Sequence, residues 1–155
     1  MIQRAQSVYL LSVSVLMIFM IVLPVAEIAI KGGEILIYHN YGLKSYSAEN
    51  AKIIFSTFPV TILTCVIALI SFINIFLYNN RNLQMRFCIY NMILLIGLVV
   101  LIYFYYTLMR KRLDILNHTF KIAIVFPIIS AILTLLSLKG IRRDEALVRS
   151  CERLR

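Results

Sequence analysis

The sequence predicts an all-α membrane protein: a bundle of four transmembrane helices with a small extracytoplasmic loop and a basic, amphipathic C-terminal cytoplasmic helix. Three observations predict it. The 155-residue chain is 61% hydrophobic with a mean hydropathy of +0.89, well above the roughly 45–50% apolar usage of soluble domains. Its charged residues, only 15% of the total, gather in short segments between long uncharged runs. Four of those runs, 7–25, 58–78, 87–107 and 122–138, approach the roughly 20 residues a helix needs to cross the hydrocarbon core. Helices are expected because lipid offers no partner to an unsatisfied backbone group. The domain division that follows is a transmembrane body, 1–138, and a basic tail, 139–155.

The first run follows a single basic residue, Arg4, a layout shared with signal peptides. The small residues Ala26 and Ala29 are separated by two positions and make no A-x-A cleavage site, so the run reads as a retained span. The loop after it, 26–52, contains a strand-like stretch at 34–38, turn chemistry at Asn40, Tyr41 and Gly42, and a second stretch at 43–46. That pattern predicts a short β-hairpin. Two strands alone are marginal, so the hairpin has to lean on the helix ends or on a partner.

Span two carries small or hydroxylated residues at Thr57, Thr61, Thr64, Ala68 and Ser71, and span four repeats the device with Ala123, Pro127, Ser130, Thr134 and Ser137. In lipid, small residues mark the face where backbones approach, which predicts that spans two and four pack on these stripes. The bland alternative is that the hydroxyls bond the carbonyls four residues back in their own helices. Spans two and three form a hairpin across 79–86, and a symmetric turn puts Asn74 and Asn91 at equal depth, in position to bond each other. Pro24, Pro59 and Pro127 all fall at the outer ends of their spans, where proline is tolerated near a helix start.

Orientation follows from counting Lys and Arg. Nine lie on the side of the termini (Arg4, Arg81, Arg86 and six in the tail) and seven on the other, so the termini are expected in the cytoplasm. The net charge of +9 reads as membrane-surface charge rather than a nucleic-acid footprint. In the tail, Arg142, Arg143, Arg149, Arg153 and Arg155 are the candidates for contact with lipid headgroups or a partner. Ile141, Leu147, Val148, Cys151 and Leu154 would form the apolar arc of the same helix.

Several chemistries are excluded. No ionisable residue lies at the centre of a span, which weighs against a proton-coupled pump or transporter. The three cysteines make no disulfide framework, and His39 and His118 lack metal-ligand spacing. No catalytic residues, cofactor or metal are therefore expected.

The opening MIQRAQSVYLL and the closing IRRDEALVRSCERLR resemble the terminal motifs of a bacterial family of uncharacterised inner-membrane proteins, defined as a domain of unknown function. Four spans of this order and length are also similar to that family, while Gly140, Cys151 and the 110–112 basic cluster depart from its pattern. The resemblance implies a four-helix topology in the cytoplasmic membrane with an inside tail, and supplies no activity. The expected role is that of a structural or accessory protein embedded in the lipid bilayer, joined to a larger membrane complex through tail and outer loop, or to copies of itself. The alternative is a small transporter or channel with an uncharged path between spans two and four.

Overall fold

The uncharged runs do become helices. The computed structural model describes residues 3–30, 35–45, 53–77, 80–112 and 115–152. Its helices are α1 (Gln3–Val22), α2 (Phe58–Phe76), α3 (Arg81–Arg112) and α4 (Phe126–Glu152), the last preceded by a short 3₁₀ turn, Ile122–Val125. Three of the helical stretches, Phe58–Phe76, Arg81–Lys111 and Ile122–Leu147, are long and apolar enough to cross a membrane, and the apolar part of α1, Gln6–Val22, is shorter. Each helix turns large apolar side chains outward: Ile18 is 54% exposed, Ile62 60%, Ile93 60% and Ile132 54%. A water-soluble monomer rarely shows so continuous an apolar surface.

The helices form a ring in which α1 packs on α2 and α4, and α3 packs on α2 and α4. The expected direct packing of spans two and four is therefore corrected. The connection at 77–80 is too short for α2 and α3 to be anything but antiparallel neighbours, and closing the ring through α1 and α4 leaves α2 and α4 on the diagonal. The two small-residue stripes face a shared interior. The apolar part of that interior holds Met17, Met20, Val60, Ile67, Leu95 and Leu98.

The largest departure from an all-α expectation lies at one end of the bundle. Strands β1 (Ala26–Ile30), β2 (Ile35–His39), β3 (Gly42–Ser45), β4 (Ile53–Ser56) and β5 (Ile115–Phe120) form one antiparallel sheet in the order β4-β3-β2-β1-β5. The hairpin read from the turn residues is present as β2 and β3, with His39 opposite Gly42. It does not stand alone: β1 extends it on one side, β4 on the other, and β5 arrives from the α3–α4 connection to pair with β1, Ala26 opposite Phe120. Residues of period two, Ala26 and Ile28 on β1 and Leu36 and Tyr38 on β2, are buried with Leu43, as a one-sided sheet requires. Their cover includes Met109, because α3 overshoots. Its 32 residues span about 48 Å at 1.5 Å per residue, against about 30 Å of hydrocarbon.

At the opposite end the tail is not a separate helix. α4 runs without interruption through Gly140 to Glu152, and Ile141 is buried with Leu10, Cys88 and Leu138, so it belongs to the bundle core and not to a surface arc. Leu147 is exposed; the side chains of Val148, Cys151 and Leu154 lie outside the described residues. A Cβ on Gly140 would stand 3.2 Å from Cγ of Gln6. The glycine marks a close approach of α1 to α4 within a continuous helix.

Candidate functional site

The polar residues of the bundle divide into two groups, one at each end. At the sheet end, Asn40 in the hairpin turn is fully buried. Its backbone carbonyl accepts hydrogen bonds from Thr57 Oγ1 at 2.9 Å and Thr61 Oγ1 at 3.0 Å. Its Nδ2 donates to Thr64 Oγ1 at 3.0 Å, and that hydroxyl donates in turn to the Val60 carbonyl at 2.8 Å. The Thr57 amide also donates to the Tyr41 carbonyl at 3.2 Å. Three hydroxyls of the span-two stripe thus hold the hairpin turn against the first turns of α2. The stripe was visible in the sequence; its partner was not, because Asn40 reads simply as a turn former.

Around this junction burial governs ionisation. The Tyr38 phenol is pushed up to about 12, chiefly by desolvation, against which the Thr57 hydroxyl acts. His39 is lowered from its usual value, first by burial and then by Lys44. Its ring stacks on Tyr41 at 5.2 Å, and Lys44 Nζ sits 4.9 Å from the same tyrosine ring. Glu27 is paired with Lys121 at 2.9 Å. The side chain of His118 lies outside the described residues, among which no three His, Cys, Asp or Glu side chains group as a metal site would require.

Deeper in the bundle, Ala68 joins the apolar core and the polar groups resume one turn further. Asn91 Nδ2 donates to Ser71 Oγ at 2.8 Å, Asn74 Nδ2 to Cys88 Sγ at 3.1 Å, and Gln84 Nε2 to the Asn74 carbonyl at 3.3 Å. Asn74 and Asn91 both reach across the α2–α3 pair, but not to each other. Ser71 facing Asn91 and Asn74 facing Cys88 put the pair three residues, almost a full turn, from the symmetric register. On α4, Thr134 Oγ1 donates to the Ser130 carbonyl at 2.7 Å, the local bond that the bland reading of the stripe describes. Ser137 Oγ makes a long contact, 3.5 Å, with the Gln6 carbonyl. Among the described residues, Asn74 Oδ1, Asn91 Oδ1 and Ser130 Oγ are buried with no hydrogen-bond partner.

The end opposite the sheet is fastened by Asp144. Its Oδ2 accepts from Gln6 Nε2 at 2.6 Å, and its carbonyl accepts from an Arg81 guanidinium nitrogen at 3.3 Å, so one residue of α4 ties down the starts of α1 and α3. Sequence reasoning gave Asp144 no role. Arg142 and Arg143 are exposed beside it. The side chain of Arg149, and Arg153 and Arg155 altogether, lie outside the described residues.

One further feature sits between α3, α4 and the sheet. A recess of about 310 Å³ is lined by apolar and aromatic side chains, among them Ile102, Tyr103 and Ile124.

Four helices around a mixed apolar and hydroxylated interior, three of them long and apolar enough to cross a membrane, with a small antiparallel sheet at one end, define the class: a mostly helical protein whose apolar helices are compatible with a membrane. Within that class, residues 2–154 match the family model of a domain of unknown function (DUF4293), and the chain belongs to that family. No curated protein matches the chain.

Proposed function

We propose that this chain is a four-span protein of the bacterial cytoplasmic membrane. Both termini and the α2–α3 turn lie in the cytoplasm and the sheet lies outside, and the chain serves as a structural or accessory component of a larger membrane complex. The observation that carries this reading is the sheet. Its terminal strands β4 and β5 are each hydrogen-bonded on one side only within the described residues, and such edges accept a further strand from a partner. The ring of outward-facing apolar side chains on all four helices supports the spanning arrangement. On the cytoplasmic side, Arg142, Arg143, Arg149, Arg153 and Arg155 would meet anionic headgroups or a partner.

Purification in mild detergent followed by mass spectrometry tests the reading. A defined set of membrane proteins is expected to copurify, and to be lost when β4 or β5 carries a proline that blocks edge pairing. Deleting 149–155, which spares Ile141 and Asp144, asks the same of the tail. Repeated recovery of the lone protein contradicts the reading, whereas recovery as a homo-oligomer replaces the larger complex with copies of this chain.

A second reading is favoured by the unpartnered Asn74 Oδ1, Asn91 Oδ1 and Ser130 Oγ: an uncharged solute path between α2 and α4, along the interior that the two helices face from opposite corners. Replacing Thr64, Ser71, Ser130 and Thr134 with Ala should then change flux in reconstituted vesicles while assembly persists. Absence of flux in the unaltered protein sinks that path.

A further inference from the structure

We infer that the recess between the outer halves of α3 and α4 is a phospholipid site, holding one acyl chain of an anionic lipid whose phosphate meets Arg110. The inference rests on the spanning arrangement proposed above. The cavity, about 310 Å³, lies at the lower end of the roughly 300–1,000 Å³ typical of small-molecule pockets. Its mouth is set among Val99, Tyr103, Phe120 and Ile128, all exposed, with Tyr103 at 68% and Ile128 at 55%. These faces of α3 and α4 point away from the bundle, so in a bilayer the mouth opens sideways into hydrocarbon. Ala26 and Tyr38 of the sheet contribute the remaining wall, which is buried. An apolar recess that opens into lipid is filled by the acyl chains beside it.

The headgroup assignment comes from helical spacing. Val99, Tyr103 and Tyr106 line the recess, and steps of four, three and four carry the same face of α3 on to Arg110. Arg110 is exposed and stands about 6 Å along the axis from Tyr106 at 1.5 Å per residue. On the other wall Lys121 is already engaged by Glu27 at 2.9 Å. Among the described residues no carboxylate pairs with Arg110. A guanidinium at the end of an apolar slot suits a phosphate, which it can hold with two parallel N–H donors.

The chain has no tryptophan, so Tyr103→Trp places a single tryptophan, excited selectively over the tyrosines, at the mouth. The variant is reconstituted into phosphatidylcholine vesicles containing increasing fractions of either phosphatidylglycerol or phosphatidylcholine with brominated chains. Half-quenching is expected at a mole fraction at least fivefold lower for the brominated anionic lipid. Adding Arg110→Gln should bring the two lipids within twofold, Arg110→Lys should keep part of the preference, and Phe72→Trp on the lipid face of α2 should show none. Equal quenching at Tyr103→Trp, a preference that survives Arg110→Gln, or the same preference at Phe72→Trp overturns the site. Density flotation separates this from the parent reading: a chain that floats with the vesicles yet shows equal quenching loses only the lipid site, while a chain that does not float overturns both.

Discussion

At the sheet end the bundle is closed by backbone: five strands drawn from two connections pair edge to edge, and the Asn40 turn is pinned by three threonine hydroxyls of α2. At the other end, among the described residues, no strand pairing closes it; Asp144 gathers Gln6 through its carboxylate and Arg81 through its carbonyl over a small apolar cluster of Leu10, Cys88, Leu138 and Ile141. A ladder of backbone bonds tolerates substitution of the outward side chains that decorate it. A closure made of four or five side chains does not. The two ends should therefore respond differently to the same kind of change.

The largest expected effect is at the sheet. Tyr38 is 2% exposed in the sheet core, and truncating a buried aromatic to Ala costs about 3–5 kcal/mol. Tyr38→Ala should lower stability to denaturant in detergent by about that amount and open the sheet to protease before the helices unfold. If helices and sheet unfold together, the two ends are one cooperative unit. Next comes Ile141→Ala, expected to cost about 2–4 kcal/mol as a buried aliphatic truncation and to free the end of α4 while the sheet stays protected. An effect below 1 kcal/mol would return Ile141 to the surface arc read from sequence.

A third, smaller test concerns Gly140. Alanine is favoured over glycine in a helix interior by about 1 kcal/mol, yet its Cβ would crowd Gln6, which is held by Asp144 at 2.6 Å. Gly140→Ala should thus show little gain alone and about 1 kcal/mol of gain in a Gln6→Ala background, measured as a double-mutant cycle. Equal gains in both backgrounds would mean that the contact exerts no restraint.

The smallest effect is a pH dependence confined to the sheet end. Burial and then Lys44 hold His39 below its usual 6.5, so between those values the unfolded chain binds more protons than the folded one. Stability should fall as pH drops through 6.5, and His39→Gln should remove that slope. An unchanged slope would place the titrating group elsewhere.

The long apolar helices were legible because an uncharged apolar run of about 20 residues satisfies its backbone as a helix, and the runs at 58–78 and 87–107 have that length and composition. Helix ends were less so: charge at Arg81 and Arg86 suggested a turn, but nothing prevents a helix from beginning in polar text, as α3 does at Arg81. The Asn40-Tyr41-Gly42 turn was visible from local chemistry. β1 and β5 were not, since each becomes a strand only by pairing with the other, Ala26 opposite Phe120, across most of the chain. Asn74 and Asn91 were expected to bond each other, but Ser71 receives the Asn91 bond and Cys88 the Asn74 bond, a choice that turns on helix phase, which composition does not carry.

The proposed spanning bundle requires the sheet and the side-chain closure to lie on opposite sides of a membrane. Replacing Cys65, Cys88 and Cys151 with Ala leaves a chain without thiols, to which Tyr41→Cys in the hairpin turn or Asn82→Cys at the start of α3 adds one. In intact cells a membrane-impermeant thiol reagent should label the Tyr41→Cys chain and should reach the Asn82→Cys chain only after permeabilisation. Labelling of both from the same side would contradict the spanning bundle, and labelling of Asn82→Cys alone would invert it.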